Sequence, residues 1–280
     1  MNRVRSLQRR GYGRTVIAAV IVIIYLFPVY WMVASSLKTQ TDIFAKPPQF
    51  VPTHPTLQAY RDAVLNNHVA LRSIGNSVII ALGTMLLTLI LAPPAAYALA
   101  RLRLPGAGIF LLALLISQLL PAVVVAGPLF VMFSRIHLIN SYQAMIVADV
   151  TSTLPFAVII LRPYFLGIPR ELESASLVDG STQFGAYFKI VLPLIRPGLV
   201  TVAAFSFLIA WGEFIFALSL NLNTKIEPIT VAINQFIGQY GTQWNNLMAV
   251  STAVAIPIVI VFLALQRYIV GGLITGATKE

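Results

Sequence analysis

Long uninterrupted apolar stretches alternate along the chain with short segments that hold nearly all of its charge. Six stretches stand out, at 15–36, 77–98, 109–133, 142–161, 199–220 and 247–265. Each approaches or exceeds the roughly 20 residues that a helix needs to cross about 30 Å of hydrocarbon. The pattern predicts an all-α integral membrane protein with six transmembrane helices. The first stretch follows Arg3, Arg5, Arg9, Arg10 and Arg14, as a signal peptide would. At 22 residues it is longer than an apolar signal region, and five spans follow it, so it is expected to be retained.

Composition agrees with this pattern. Of the 280 residues, 58% are hydrophobic and only 10% charged, against about 45–50% and about 25% in soluble domains. So few charges cannot clothe a soluble surface, and the apolar excess must face lipid. The net charge of +10 lies between apolar runs instead of forming a basic stripe, so it reports topology and not a nucleic-acid partner. The absence of cysteine excludes disulfides, thiolate metal sites and thiol nucleophiles. His54, His68 and His137 are too scattered to suggest a metal site or a hydrolytic centre. The chain is not expected to be an enzyme.

Lysine and arginine set the orientation. With the N-terminus inside, the cytoplasmic side holds 13 of the 19 basic residues, among them Arg101, Arg103, Arg162, Arg170, Lys189, Arg196, Arg267 and Lys279. The outer side keeps Lys38, Lys46, Arg61, Arg72, Arg135 and Lys225. Both termini are therefore expected in the cytoplasm. Tyr30, Trp31, Tyr142 and Trp244 suit an interfacial belt at outer span ends. Five spans contain proline (Pro28, Pro93 with Pro94, Pro121 with Pro128, Pro155, Pro257). Each removes a helix hydrogen bond, which in any one span can mean no more than a kink within a packed bundle; five together favour broken helices that move or line a cavity. Asp149 and Glu213 lie within spans. An unpaired carboxylate there costs about 2.5–3.5 kcal/mol on insertion scales, so both are expected to face protein or water. They are candidates for a substrate path, or for satisfaction by a neighbouring helix. Trp211 and Phe214 flank Glu213, an arrangement suited to sugar rings and hydroxyls.

The segment 162–198 is too long for a simple turn. Pro169 suits a first helical position, Glu171 and Glu173 suit the first turn, and Gly180 suits a left-handed stop. Ser181 then caps a second helix that runs to about Leu192 and is stopped by Pro193. An ordinary amphipathic surface loop has the same pattern.

These residues resemble the EAA motif of ABC importer permeases. The match runs from Ile168-Pro169-Arg170-Glu171-Leu172-Glu173-Ser174-Ala175-Ser176 through Asp179-Gly180 to Ile190 and Leu192-Pro193. Ser174 and Ser176 stand where the motif has Glu and Ala. Ala96-Tyr97-Ala98-Leu99-Ala100-Arg101 with Leu104-Pro105-Gly106, and Trp211-Gly212-Glu213-Phe214, resemble the maltose-type, MalG-like branch of carbohydrate permeases. The end, Arg267 to Gly276, Ala277 and Lys279, resembles a tail that reaches the ATPase dimer interface. The resemblance implies the type I permease fold in a prokaryotic cell membrane, in contact with lipid. It implies a second permease, two nucleotide-binding ATPase subunits and an extracytoplasmic sugar-binding protein as partners. Glu171, Glu173, Ala175, Asp179, Gly180 and Pro193 would couple to the ATPase. ATP and Mg would bind on that subunit, since this chain has no Gly-x-x-x-x-Gly-Lys-Ser/Thr phosphate loop. The expected divisions are a basic segment 1–14, the first span and outer loop 15–71, the permease core 72–266 and a tail 267–280. The outer loop 221–246, rich in Asn, Gln and Thr, would by the same resemblance reach toward the binding protein, although an ordinary solvated loop has the same composition. The rival expectation is a self-sufficient secondary transporter driven through Asp149 and Glu213.

Overall fold

The computed structural model describes residues 2–238 and 241–277, with side chains over 15–238 and 241–266. Apart from short helical turns, ten helices organise the described residues: α1 (Asn2–Ser36), α2 (His68–Arg101), α3 (Ala107–Ser117), α4 (Ala122–Arg135) and α5 (Tyr142–Leu166) come first. Then follow α6 (Arg170–Val178), α7 (Gln183–Leu194), α8 (Arg196–Trp211), α9 (Ile215–Leu220) and α10 (Trp244–Ala277). A two-residue ribbon, Ile237–Gly238 against Gly241–Thr242, is a small departure from an all-helical chain. Two compact units are present, one formed by 1–71 with 233–255 and the other by 72–232 with 256–280.

In the first unit Lys38 lies 4.6 Å from the Trp31 ring centroid, where cation and ring attract. The Gln40 amide donates to the Thr242 carbonyl (2.8 Å), tying the chain after α1 to the ribbon.

In the second unit α2 and α5 pack through small residues. Ser77, Ala81, Thr84, Thr88, Ala92 and Ala96, spaced three or four apart, are all buried on one face of α2. Small side chains bring helix axes close where lipid offers no hydrophobic drive between helices. Hydroxyl and amide groups then bond across the contact. Tyr142 donates to Asn76 (2.7 Å), Thr84 to Asp149 (3.4 Å), and Thr88 pairs with Thr153 (2.7 Å). Residue numbers rise together in all three pairs, so α2 and α5 run parallel. The intervening segment must therefore return across the same thickness.

That return settles α3 and α4. They are bent by 103° about the segment 118–121, where one straight span was expected. Pro121 lacks an N–H and disfavours helical angles at Leu120, which is enough to end α3. The parallel packing of α2 on α5 makes the bent pair one crossing. The chain then runs back. A Cβ on Gly198 would lie 3.0 Å from the Tyr164 ring, and Phe156 meets Phe205 at 5.4 Å, so α8 is antiparallel to α5. With the four straight helices that are long and apolar enough to cross a membrane (Thr15–Ser36, α2, α5 and Trp244–Gln266), this makes six crossings among the described residues.

Most of the prolines do not break their helices. Pro28, Pro93, Pro94, Pro128, Pro155 and Pro257 all sit inside continuous helices. The neighbouring hydrogen bonds carry each helix past the missing N–H. The fifth span, expected whole over 199–220, is instead interrupted at 212–214, where there is no proline.

Candidate functional site

The segment between the fourth and fifth spans folds as a short helix, a glycine turn and a second helix. Helix α6 starts at Arg170, so Pro169 is its N-cap (φ −57°, ψ 135°), one position earlier than the sequence predicts. Glu171 and Glu173 fall in the first turn. At the other end Ser181 N–H donates to Ser176 C=O (3.0 Å) and Gly180 N–H to Leu177 C=O (3.1 Å). These are the two bonds of a Schellman turn, and they need a left-handed residue at Gly180, whose φ is +86°. A Cβ there would meet open space, so the demand on Gly180 is conformational and not steric.

Two local expectations are corrected. The second helix starts one residue later than expected, at Gln183, so Thr182 and not Ser181 caps α7, its hydroxyl accepting from Gly185 N–H (3.1 Å). Nor does Pro193 stop the helix. Residues Tyr187–Val191 widen into a π turn in which Leu192 N–H donates to Tyr187 C=O. The wider turn relieves the ring clash that proline causes with the preceding turn. The helix continues to Leu194 and breaks at Ile195, where α8 departs at 75°.

Helix α6 has two distinct faces. Glu171, Leu172, Ala175, Val178, Asp179 and Gly180 are exposed, Val178 to 88%. Ser176 is buried, and Glu173 turns inward with its side chain 17% exposed. Glu173 Oε1 lies 2.8 Å from Arg101 Nε, an ion pair too oblique for an aligned hydrogen bond. Its Oε2 accepts from Tyr97 Oη at 2.8 Å. Arg101 also donates to the Ile168 carbonyl at 2.6 Å. Thus the last turn of α2 holds the start of α6. Beside this contact lies a mostly apolar cleft of about 790 Å³, walled by Pro93 and Pro94 on one side and by Phe184 and Phe188 on the other.

The intramembrane residues lie elsewhere. The chain breaks at Gly212, and the Glu213 carboxylate accepts from the N–H groups of Phe216 (2.9 Å) and Ala217 (3.1 Å). It supplies the acceptor that the free N–H groups of α9 need where water is scarce. Thr230 hydroxyl donates to the Glu213 carbonyl (2.7 Å), so the other side of the break is satisfied too. Trp211 is 1% exposed and stacks on Phe207 at 5.6 Å. Asp149 is 2% exposed, and with Glu213 and Ser77 it borders a void of about 10 Å³. The structure therefore brings Asp149 near Glu213, while Trp211 presents its ring to Phe207. The residues after α9 fold back on α2: the Asn76 amide donates to the carbonyls of Lys225 (3.1 Å) and Glu227 (2.9 Å). Burial pushes the Glu227 carboxyl above its ordinary range, and nearby Arg72 opposes that shift. Lys279 lies outside the described residues, and of Gly276 only the helical backbone is described.

Arg101 and Tyr97 stand in the sequence as a topogenic charge and as part of a permease-like segment, and neither is marked there as a partner of Glu173. Their signal was present, since residues four apart at a helix end share a face and can grip one carboxylate. Asn76 carried no such signal, because its acceptors lie about 150 residues away in carbonyl groups.

The match to known proteins spans the chain. The family model "Binding-protein-dependent transport system inner membrane component" matches residues 92–274. The chain is 34% identical over 266 residues to the sulfoquinovosyl glycerol transport system permease protein of Agrobacterium fabrum, covering 95% of this chain and 93% of that one. It is 32% identical over 276 residues to the diacetylchitobiose uptake system permease protein of Streptomyces coelicolor, covering 98% and 100%. Its fold superposes with a TM-score of 0.81 on a chain of a bacterial ABC transporter involved in the import of alginate, at 20% identity and coverage of 94% and 98%. The chain, with its six crossings and the helical loop between the fourth and fifth, therefore belongs to the family of inner membrane components of binding-protein-dependent transport systems.

Proposed function

We propose that this chain is the permease subunit of an ATP-driven carbohydrate importer, forms half of its translocation pathway, and receives the ATPase subunit's motion through the loop 162–198. The observation that carries the coupling role is α6: an apolar and acidic face stands free while its other face is locked to α2. A helix held so firmly on one side and bare on the other suits a rigid element that a second protein grips. Glu171, Ala175, Asp179 and Gly180 lie on or beside the free face. Glu173 serves from behind, and Pro193 shapes the π turn. The two relatives described above carry a glycosyl glycerol and an amino-sugar disaccharide, which supports a carbohydrate cargo.

In this reading the partners are a second permease, two nucleotide-binding subunits that hold ATP and Mg, and an extracytoplasmic sugar-binding protein. Closure of the ATPases biases the permease pair between inward-facing and outward-facing states. Asp149, Trp211 and Glu213 belong to the wall of the path; the support is that the broken span brings two carboxylates to one small void.

Affinity purification of the tagged chain from its native membrane tests the reading. An ATPase subunit and a second permease are expected in the eluate, and Gly180→Val should leave the chain inserted but lose sugar-stimulated ATP hydrolysis. Recovery of a chain that transports sugar alone, without any ATPase, would overturn it.

A further inference from the structure

We infer that Arg101 is a positioning residue that carries movement of α6 into the second span; the functional part of this inference rests on the coupling role proposed above. Arg101 grips α6 at two points, the Glu173 carboxylate (2.8 Å) and the Ile168 carbonyl (2.6 Å), which flank its first turn. Two contacts from one planar guanidinium fix orientation as well as distance, which a single lysine ammonium would not do. The Arg101 side chain is 7% exposed. Opening the pair would leave a charge with little water to solvate it, so the contact is expected to stay closed while α6 moves.

Tyr97, one turn earlier, widens the attachment. Its hydroxyl donates to Glu173, and its ring meets Phe165 of α5 at 5.5 Å and Tyr187 of α7 at 5.0 Å. Arg162 of α5 donates to the Leu99 carbonyl at 3.3 Å. The last turns of α2 therefore touch the end of the fourth span, α6 and α7 together. Motion imposed on the loop reaches α2 through these side chains as well as α5 and α8 through the backbone.

The adjoining part of α2 is built to yield. Pro93 and Pro94 are adjacent, and two successive residues without an N–H leave carbonyls one turn earlier without helix partners. The cleft of about 790 Å³ lies against this step and separates it from Phe184 and Phe188 of α7. The lower end of α2 thus has a rigid grip on α6, a weakened point above that grip, and space beside it.

The chain contains no cysteine, so paired spin labels need no background substitutions. Labels at Leu102 and Val178 report the end of α2 against the end of α6, both exposed positions. A second pair at Ile79 and Leu102, also exposed, reports bending of α2 across the proline step. In the purified permease the first distance distribution is expected to be narrow. Arg101→Ala should widen it by about a factor of two, Arg101→Lys less, and Tyr97→Phe least, following the contacts each removes. In the complex with its ATPase subunits, ATP, Mg and vanadate should shift the Ile79–Leu102 distance in the wild type. Arg101→Ala should abolish that shift while the ATPase still copurifies, because the free face of α6 is unaltered. A merely structural role would lower the yield of complex without separating ATPase docking from the shift in α2. An Arg101→Ala distribution as narrow as the wild type, or an undiminished ATP-driven shift, overturns the inference. If no ATPase copurifies even with the wild type, the coupling role fails. The Leu102–Val178 widths then decide the grip alone, and Tyr97→Phe supplies them if Arg101→Ala does not fold.

Discussion

The chain ends a helix beside glycine at two places, after α6 and within the fifth span, and it treats the freed backbone groups differently. After α6, Gly180 turns left-handed and main-chain bonds from Gly180 and Ser181 satisfy the last carbonyls of the helix. Within the fifth span, Gly212 keeps ordinary right-handed angles (φ −89°), and the Glu213 side chain satisfies the N–H groups of the next half-helix. The first turn lies in a segment open to solvent, so any group left over finds water. The second lies within an apolar span, and the N–H groups it frees belong to the buried residues Phe216 and Ala217, where an orphaned N–H costs far more. A carboxylate that would be an ordinary solvated residue in the loop becomes a structural acceptor in the span.

The largest expected contrast is accessibility. A single cysteine at Val178 should react fully with a membrane-impermeant maleimide from the cytoplasmic side, and one at Phe216 should not react from either side. Labelling of Val178 from the outer face only would invert the topology and break the comparison. Next in size is removal of the span's acceptor. Glu213→Ala strands two N–H groups at about 1–3 kcal/mol each, whereas Glu213→Gln keeps an acceptor and should lose less. Thermal melting in detergent, followed through tryptophan fluorescence, should rank wild type above Gln above Ala. An Ala variant that melts with the wild type would remove the capping role.

A smaller effect is expected at the loop turn. Gly180→Ala meets no neighbour, so it should lose only about 1–2 kcal/mol of local stability from the left-handed angle. Gly75→Ala, also in open space but with ordinary helical angles, is the matched control and should be neutral or slightly stabilising. Hydrogen exchange over 170–182 separates the two. Equal protection in Gly180→Ala and the wild type would show that the turn does not depend on glycine. The smallest effect belongs to the helix contact away from either break. Thr88→Val should cost about 0.6 kcal/mol, the average for a hydrogen bond between membrane helices. Thr88→Val with Thr153→Val should cost less than the two single changes added together, because each hydroxyl is the other's partner. Strict additivity would deny the bond.

Sequence alone determined the features governed by local chemistry. Six apolar stretches set the number of crossings, because each needs only enough consecutive apolar residues to match the hydrocarbon. Gly180 at the end of α6 was legible because few residues other than glycine tolerate φ near +86°. The first-turn carboxylates were legible from their spacing alone. Tertiary structure decided the rest. Six prolines read as breaks stay inside continuous helices, while the fifth span breaks where a carboxylate is placed to accept the freed N–H groups. Glu171 and Glu173 are indistinguishable by local pattern, yet one faces solvent and the other joins Arg101 and Tyr97, more than seventy residues earlier in the chain. The physical reason is range. Helix length, capping and left-handed turns depend on neighbours within a few residues, whereas the partner that accepts a charge or a proton is chosen by which helices pack together.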